Sequence, residues 1–334
     1  MSANTLAPKG KSFSIQLVRV AACLMVFAVH FGQRMGFTGV LGELTYFGKY
    51  GVELFFLISG YLCALSMAGH REFDVKRYYA KRIAAILPLY YLVILYYFFT
   101  ENLLVRFGAQ IPSDEQGLGW LRYLFLLNGF VNSDTYFWSN LGITWTIPIF
   151  AFFYLIAPWT VRWLSGVRAA LLAWLFTFCL TGALSLVYPC TIFANLHYFF
   201  LGVLLLACVR ADLYDPAIFL SLLASLPFII LNSRDYAYVC LFFAILLVLL
   251  RSAQHIVLPS ALSTLVDVLD KYSYTIYLVH GIIFCSILDR LIPLGVPRRY
   301  LALIAIAGTT VLTFLVGRFL EKPLQAFLRR LLKL

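Results

Sequence analysis

Residues 15–30, IQLVRVAACLMVFAVH, form an apolar run of membrane-spanning character that carries one formal charge, Arg19, and one titratable ring, His30. A segment in lipid must satisfy its backbone internally, which leaves helix as the only single-segment solution. On an α-helix the step from Arg19 to His30 advances about 1,100°, some 20° beyond three full turns. The two side chains therefore share a face and stand about 16 Å apart along the axis. Polar groups at such depth are costly, face a bundle interior or a wet cavity, and mark functional sites. The plainer reading is an arginine that snorkels to the interface and a histidine hydrogen-bonded in a helix contact. Both readings stand on these residues alone.

The rest of the chain is equally apolar: 62% hydrophobic, 17% aromatic and only 12% charged, where soluble domains carry roughly a quarter charged residues. Apolar stretches near the spanning length of about 17–25 residues fall at 13–33, 48–68, 83–100, 143–158, 168–187, 191–208, 217–232, 236–250, 272–292 and 299–319. The shorter piece at 120–131 reads as interfacial or re-entrant. The net charge of +11 reads as topology before it reads as affinity for nucleic acid. Lysine and arginine favour the N-terminal side of the membrane by two to one, which predicts both termini in the cytoplasm and an even number of spans. The expected fold is an all-α polytopic membrane protein of about ten transmembrane helices. It has a cytoplasmic tail at 1–12, a membrane domain at 13–320 and a basic tail at 321–334. The leader shows no cleavage site. The seven cysteines form no Cys-x-x-Cys pair and no Cys/His cluster, so neither a disulfide framework nor a metal site is indicated.

Several constellations could carry chemistry. Glu53 opens the second span on the outer side, at the depth of His30, where a carboxylate could orient a basic ring; it could equally be an interfacial acid at a helix N-terminus. The inner run Arg71–Arg82, which includes Arg77, Lys81 and Arg82, reads as positive-inside topology and anionic-lipid contact. It also suits a cytosolic phosphate ligand. Trp145 and Tyr154 lie on the fourth span, Asn195 and His197 on the sixth, and His280 near the midplane of the ninth. A lone histidine there is commonly a packed one. Arg318 and Glu321 before Pro323 read as a helix-end ion pair and stop. No phosphate-binding glycine loop and no Gly-x-Ser-x-Gly elbow is present.

With these residues in order, the chain resembles the bacterial membrane acyltransferase-3 family, polytopic O-acyltransferases of cell-envelope glycans. The resemblance rests on Arg19-x10-His30, on Gly51-Val52-Glu53-Leu54-Phe55-Phe56 through Ser59-Gly60-Tyr61-Leu62, on Tyr272–His280 and on Glu321-Lys322-Pro323. Three positions depart from the family pattern: Gln16 replaces an aspartate, Ala85 an arginine and Phe150 a glutamate. The resemblance implies acetyl transfer from acetyl-CoA to a hydroxyl of a glycan or lipid-linked saccharide, in the inner (plasma) membrane of a bacterium. It casts His30 as general base with Glu53, and Arg19, Arg77, Lys81 and Arg82 as the grip on the CoA phosphates. Trp145, Tyr154 and His280 would line the substrate path. No metal and no nucleic acid is expected. A proton-coupled transporter and an inactive member of the family remain the alternatives.

Overall fold

The computed structural model describes residues 13–68, 73–105, 120–130, 140–164, 166–187, 190–213, 215, 234–252 and 259–334. Its helices are α1 (Phe13–Met35), α2 (Gly39–Tyr46), α3 (Gly51–Met67), α4 (Val75–Val105), α5 (Trp120–Leu124), α6 (Thr146–Thr160), α7 (Gly166–Val187), α8 (Thr191–Arg210) and α9 (Arg234–Ser252). They are followed by α10, which runs from Ser260 to Leu291, and α11, from Arg298 to Leu331. Eight helical stretches among the described residues are long and apolar enough to cross a membrane. The stretch 236–250 lies on α9, which packs against α1, α3 and α8. The stretch 217–232, Arg71 and the tail 1–12 fall outside the described residues. Residues 120–130 form only the short α5 and a 3-10 turn, Leu127–Phe130.

Three helices are longer than the apolar pattern predicts, each for a local reason. The basic run is not a loop from Val75 onward: Asp74 caps α4 by accepting the Arg77 backbone N–H at 2.9 Å, so Arg77, Lys81 and Arg82 sit on its first turns. Helix α10 begins at Ser260 rather than near 272: its mostly exposed first turns, which include Ser260, Ser263 and Thr264, extend the helix ahead of the apolar stretch. Helix α11 continues through Glu321 and Pro323 to Leu331. A π-turn at Gly317–Glu321 precedes Pro323, which sits in the first turn of the next α-helical segment, where a missing N–H costs little.

Helices α1 and α10 run parallel and are tied along their whole length. Gln16 donates to Asp267 (3.0 Å), Arg19 pairs with Asp270 (3.2 Å) and donates to Ser273 (3.2 Å), and the Cys23 thiol donates to the Ser273 carbonyl. The His30 and His280 rings lie 5.3 Å apart between centroids. Arg34 closes the series on Asp289 at 3.0 Å. The end of the molecule where α1 begins is the near face; the end bearing Arg34 is the far face.

The other half of the core is built around α3 and α8, which cross at Gly60 and Gly202. A Cβ on Gly202 would fall on the Leu57 carbonyl oxygen and 2.7 Å from the Tyr61 nitrogen; one on Gly60 would fall on the Phe199 carbonyl. Backbone cannot yield as a side-chain tip does. Gly202→Val is therefore expected to lower stability by at least about 1–3 kcal/mol, read as a lower unfolding temperature in detergent. A variant that melts with the wild type would contradict the close crossing.

Candidate active site

A cavity of about 340 Å³ opens between α1, α3, α4, α6, α10 and α11. At one end it gathers charge: Arg19, Arg82, Lys271 and Lys322 against Asp270 and Glu321. Its middle is apolar, with Val52, Phe55, Ile58, Leu62, Ile86, Ile147 and Phe150, and its lining also includes the Thr146 and Tyr277 hydroxyls. Those two hydroxyls bond each other at 2.9 Å. The lining thus combines cations for an anionic head with an apolar sleeve.

Each charged group is set by packing. The Arg19 guanidinium is fixed by Asp270, whose side chain is fully buried, and by Ser273. The Arg82 guanidinium lies 4.4 Å from the Tyr154 ring centroid and 5.3 Å from that of Tyr78, a stacked posture that suits arginine. Glu321 accepts from Thr275 and from Gln325 (2.9 Å); its partner is not Arg318, whose guanidinium lies beside Phe314 and Phe319. Gln325 also donates to the Ala85 carbonyl (3.1 Å), and Tyr274 to the Ile86 carbonyl (2.8 Å). Both carbonyls belong to the turn of α4 that precedes Pro88. Lys322 and Lys271 flank the Tyr272 ring, each 5.4 Å from its centroid.

The histidines lie beyond Tyr277. His280 is 1% exposed, its ring centroid 5.8 Å from that of Tyr277, and its Nδ1 sits 3.0 Å from the Ile276 carbonyl. Phe284 packs against both histidines. Gln33 lies within hydrogen-bonding reach of the His30 ring. It also lines a groove of about 270 Å³ near the far face, with Gly32, Gly36, Thr38, Glu43 and Tyr46 among the other walls. The two openings therefore approach the histidine pair from opposite sides.

The structure brings together only part of the set expected from the sequence. Arg19, Arg82 and Tyr154 line one cavity, and His30 and His280 are in ring contact. Arg77 and Lys81 are exposed outside it. Glu53 has an oxygen buried and lies within electrostatic reach of Tyr277; the contacts of the His30 ring are Gln33, His280 and Phe284 instead. Trp145 packs on Phe56. Tyr154 faces Arg82 rather than the far face. Ala85 and Phe150 both line the cavity, one turn from the stacked Arg82 and Tyr154, so two of the family departures are one local change from a charged to an apolar wall. Asp270, Lys271, Glu321, Lys322 and Gln325 belong to the site without having been expected; the three-to-four spacing of Asp267, Asp270, Ser273, Tyr277 and His280 is the signal that could have found the α10 stripe. Among the described residues no group of three or more His, Cys, Asp or Glu converges as a metal site.

A family model described as an acyltransferase domain, that of the acyltransferase-3 family, matches residues 12–318. No curated protein and no solved structure matches the chain.

Proposed function

The chain belongs to the acyltransferase-3 family and is a membrane acyltransferase, and from that premise we propose that it carries an acetyl group from cytosolic acetyl-CoA to a hydroxyl of a cell-envelope or exported glycan. The near face is then cytoplasmic, in the inner membrane of a bacterium. The supporting observation is the cavity itself: cations at one end, an apolar sleeve, and a histidine pair just past Tyr277. The CoA phosphates rest on Arg19, Arg82, Lys271 and Lys322, with Arg77 and Lys81 as outlying attraction. The pantetheine arm follows the sleeve over a rise comparable to the ~16 Å between Arg19 and His30. Tyr154 holds Arg82 in place. The acceptor hydroxyl comes from the far-face groove, its sugar ring meeting Gln33 and Glu43, and His30 removes its proton as the oxygen attacks the thioester carbonyl. Trp145 and His280 flank the transfer path. Glu53 acts at the deep end of the cavity, through Tyr277.

The test is transfer of labelled acetyl from acetyl-CoA to surface glycans by vesicles holding the protein, with mass analysis of the product. Proton-coupled solute flux with no acyl-CoA consumption would favour a transporter, and no transfer at all an inactive member. Within this reading Arg82→Gln is expected to raise KM for acetyl-CoA about 10- to 100-fold, the loss of one charge-assisted phosphate contact at about 1.5–3 kcal/mol, and to leave kcat largely intact. An unchanged KM would remove Arg82 from the donor site.

A further inference from the structure

We infer that His280 is a second catalytic residue, receiving from His30 the proton taken off the acceptor hydroxyl and passing it toward the departing thiolate on the cavity side. The inference rests on the acyltransferase reading above and concerns a part of the reaction that reading leaves open.

The first observation is the hydrogen bond of Nδ1. A carbonyl oxygen only accepts, so the 3.0 Å contact to the Ile276 oxygen requires Nδ1 to carry the hydrogen. In the neutral ring the lone pair is then on Nε2, the basic position. The second is that no group among the described residues bonds Nε2, although the residue is 1% exposed. An orphaned buried acceptor costs about 1–3 kcal/mol, a cost that a leucine or phenylalanine at this position would avoid. Packing alone therefore gives no reason for the imidazole.

The third observation is position. His30 is the far-side member: Gln33, within reach of its ring, lines the far groove. His280 is the cavity-side member: it contacts Tyr277, one turn earlier on α10, and Tyr277 lines the cavity. The rings contact each other. Acyl transfer between two such openings requires a proton to cross from the acceptor oxygen to the departing sulfur, and the paired rings offer a route for it. The acceptor O–H bond breaks on the far side, an oxygen–acyl bond forms, and the carbon–sulfur bond of the thioester breaks on the cavity side. The electron pair leaves on sulfur, and the hydroxyl proton must reach that sulfur for CoA to depart as the thiol. His30 takes the proton; His280 accepts it on Nε2 and returns it to the thiolate, so both rings end neutral and no further reactant is needed.

The test uses the full-length protein in vesicles. In His280→Asn the side-chain amide can still donate to the Ile276 oxygen, as Nδ1 does, but no base remains. The expected result is a loss in kcat of about 10²–10⁴-fold, KM for acetyl-CoA unchanged, and partial recovery of His280→Gly by added imidazole. Wild-type kcat in His280→Asn, or in His280→Gln, would overturn the assignment. So would failure of both to accumulate in the membrane, since the ring would then be needed for packing. If His30→Ala is inactive while His280→Asn is not, the relay fails and the acyltransferase mechanism stands; if His30→Ala is fully active, the mechanism itself fails.

Discussion

Replacement of His30 by alanine is expected to reduce acetyl transfer about 10²–10⁴-fold, the usual contribution of a positioned general base, while KM for acetyl-CoA stays within about twofold. The split follows from geometry. His30 is absent from the lining of the cavity that would hold the donor, and its neighbours are Gln33, His280 and Phe284. Loss of the ring therefore removes a base without touching the phosphate grip. The fold should tolerate the change: the residue is only partly buried, and α1 keeps its ties to α10 at Arg19 and Arg34. Initial rates at matched membrane levels, with acetyl-CoA varied, separate this outcome from the Arg82→Gln result, where KM moves and kcat does not. Retained kcat in His30→Ala would sink the mechanism. A rise in KM alone would place the ring in the donor site, against the geometry.

How much of this was legible beforehand depends on where a residue's signal resides. Arg19 and His30 stand out because polar groups are rare in an apolar run, and one helical periodicity puts them on a face. His280 stands out for the same reason. The lengths of α4, α10 and α11 were not legible, because hydropathy registers apolar character and the added turns of these helices are polar or charged and largely exposed. Asp270, Glu321, Lys271 and Lys322 sit at such ends, where charge is ordinary and sequence gives no reason to prefer a buried site over a solvated one. The partner of Arg19 lies on another helix at |i−j| of about 250 in sequence, as the neighbouring Ser273 bond records, and no local pattern encodes that pairing. Glu53 illustrates the opposite limit. Its depth matches that of His30, but depth along a helix does not fix azimuth; the structure shows a buried carboxylate oxygen within electrostatic reach of Tyr277. Gln16, a departure from the family pattern, donates to Asp267, a bond that an aspartate at this position would replace with two facing carboxylates.

The pair between Arg19 and Asp270 gives the largest expected effect on stability and a way to divide fold from function. Asp270 has no side-chain exposure, whereas the Arg19 side chain is 29% exposed and lines the cavity. Arg19→Leu would leave a buried carboxylate without the cation 3.2 Å away, a change that costs about 3–5 kcal/mol when one member of a buried pair is removed. The protein should then accumulate poorly and unfold at lower temperature in detergent. Adding Asp270→Asn removes the charge that was stranded, and replacing both members of a buried pair is often nearly neutral; the double variant is expected to recover most of the stability. Donor binding should not recover with it, because the phosphate has still lost a cation that Asp270 and Ser273 had held in one orientation. Thermal unfolding and KM for acetyl-CoA, measured on wild type, single and double variants, test both halves. A single variant as stable as wild type would mean that the pair is solvated rather than buried. A double variant with wild-type KM would reduce Arg19 to a structural partner of α10 and leave Arg82, Lys271 and Lys322 to hold the donor.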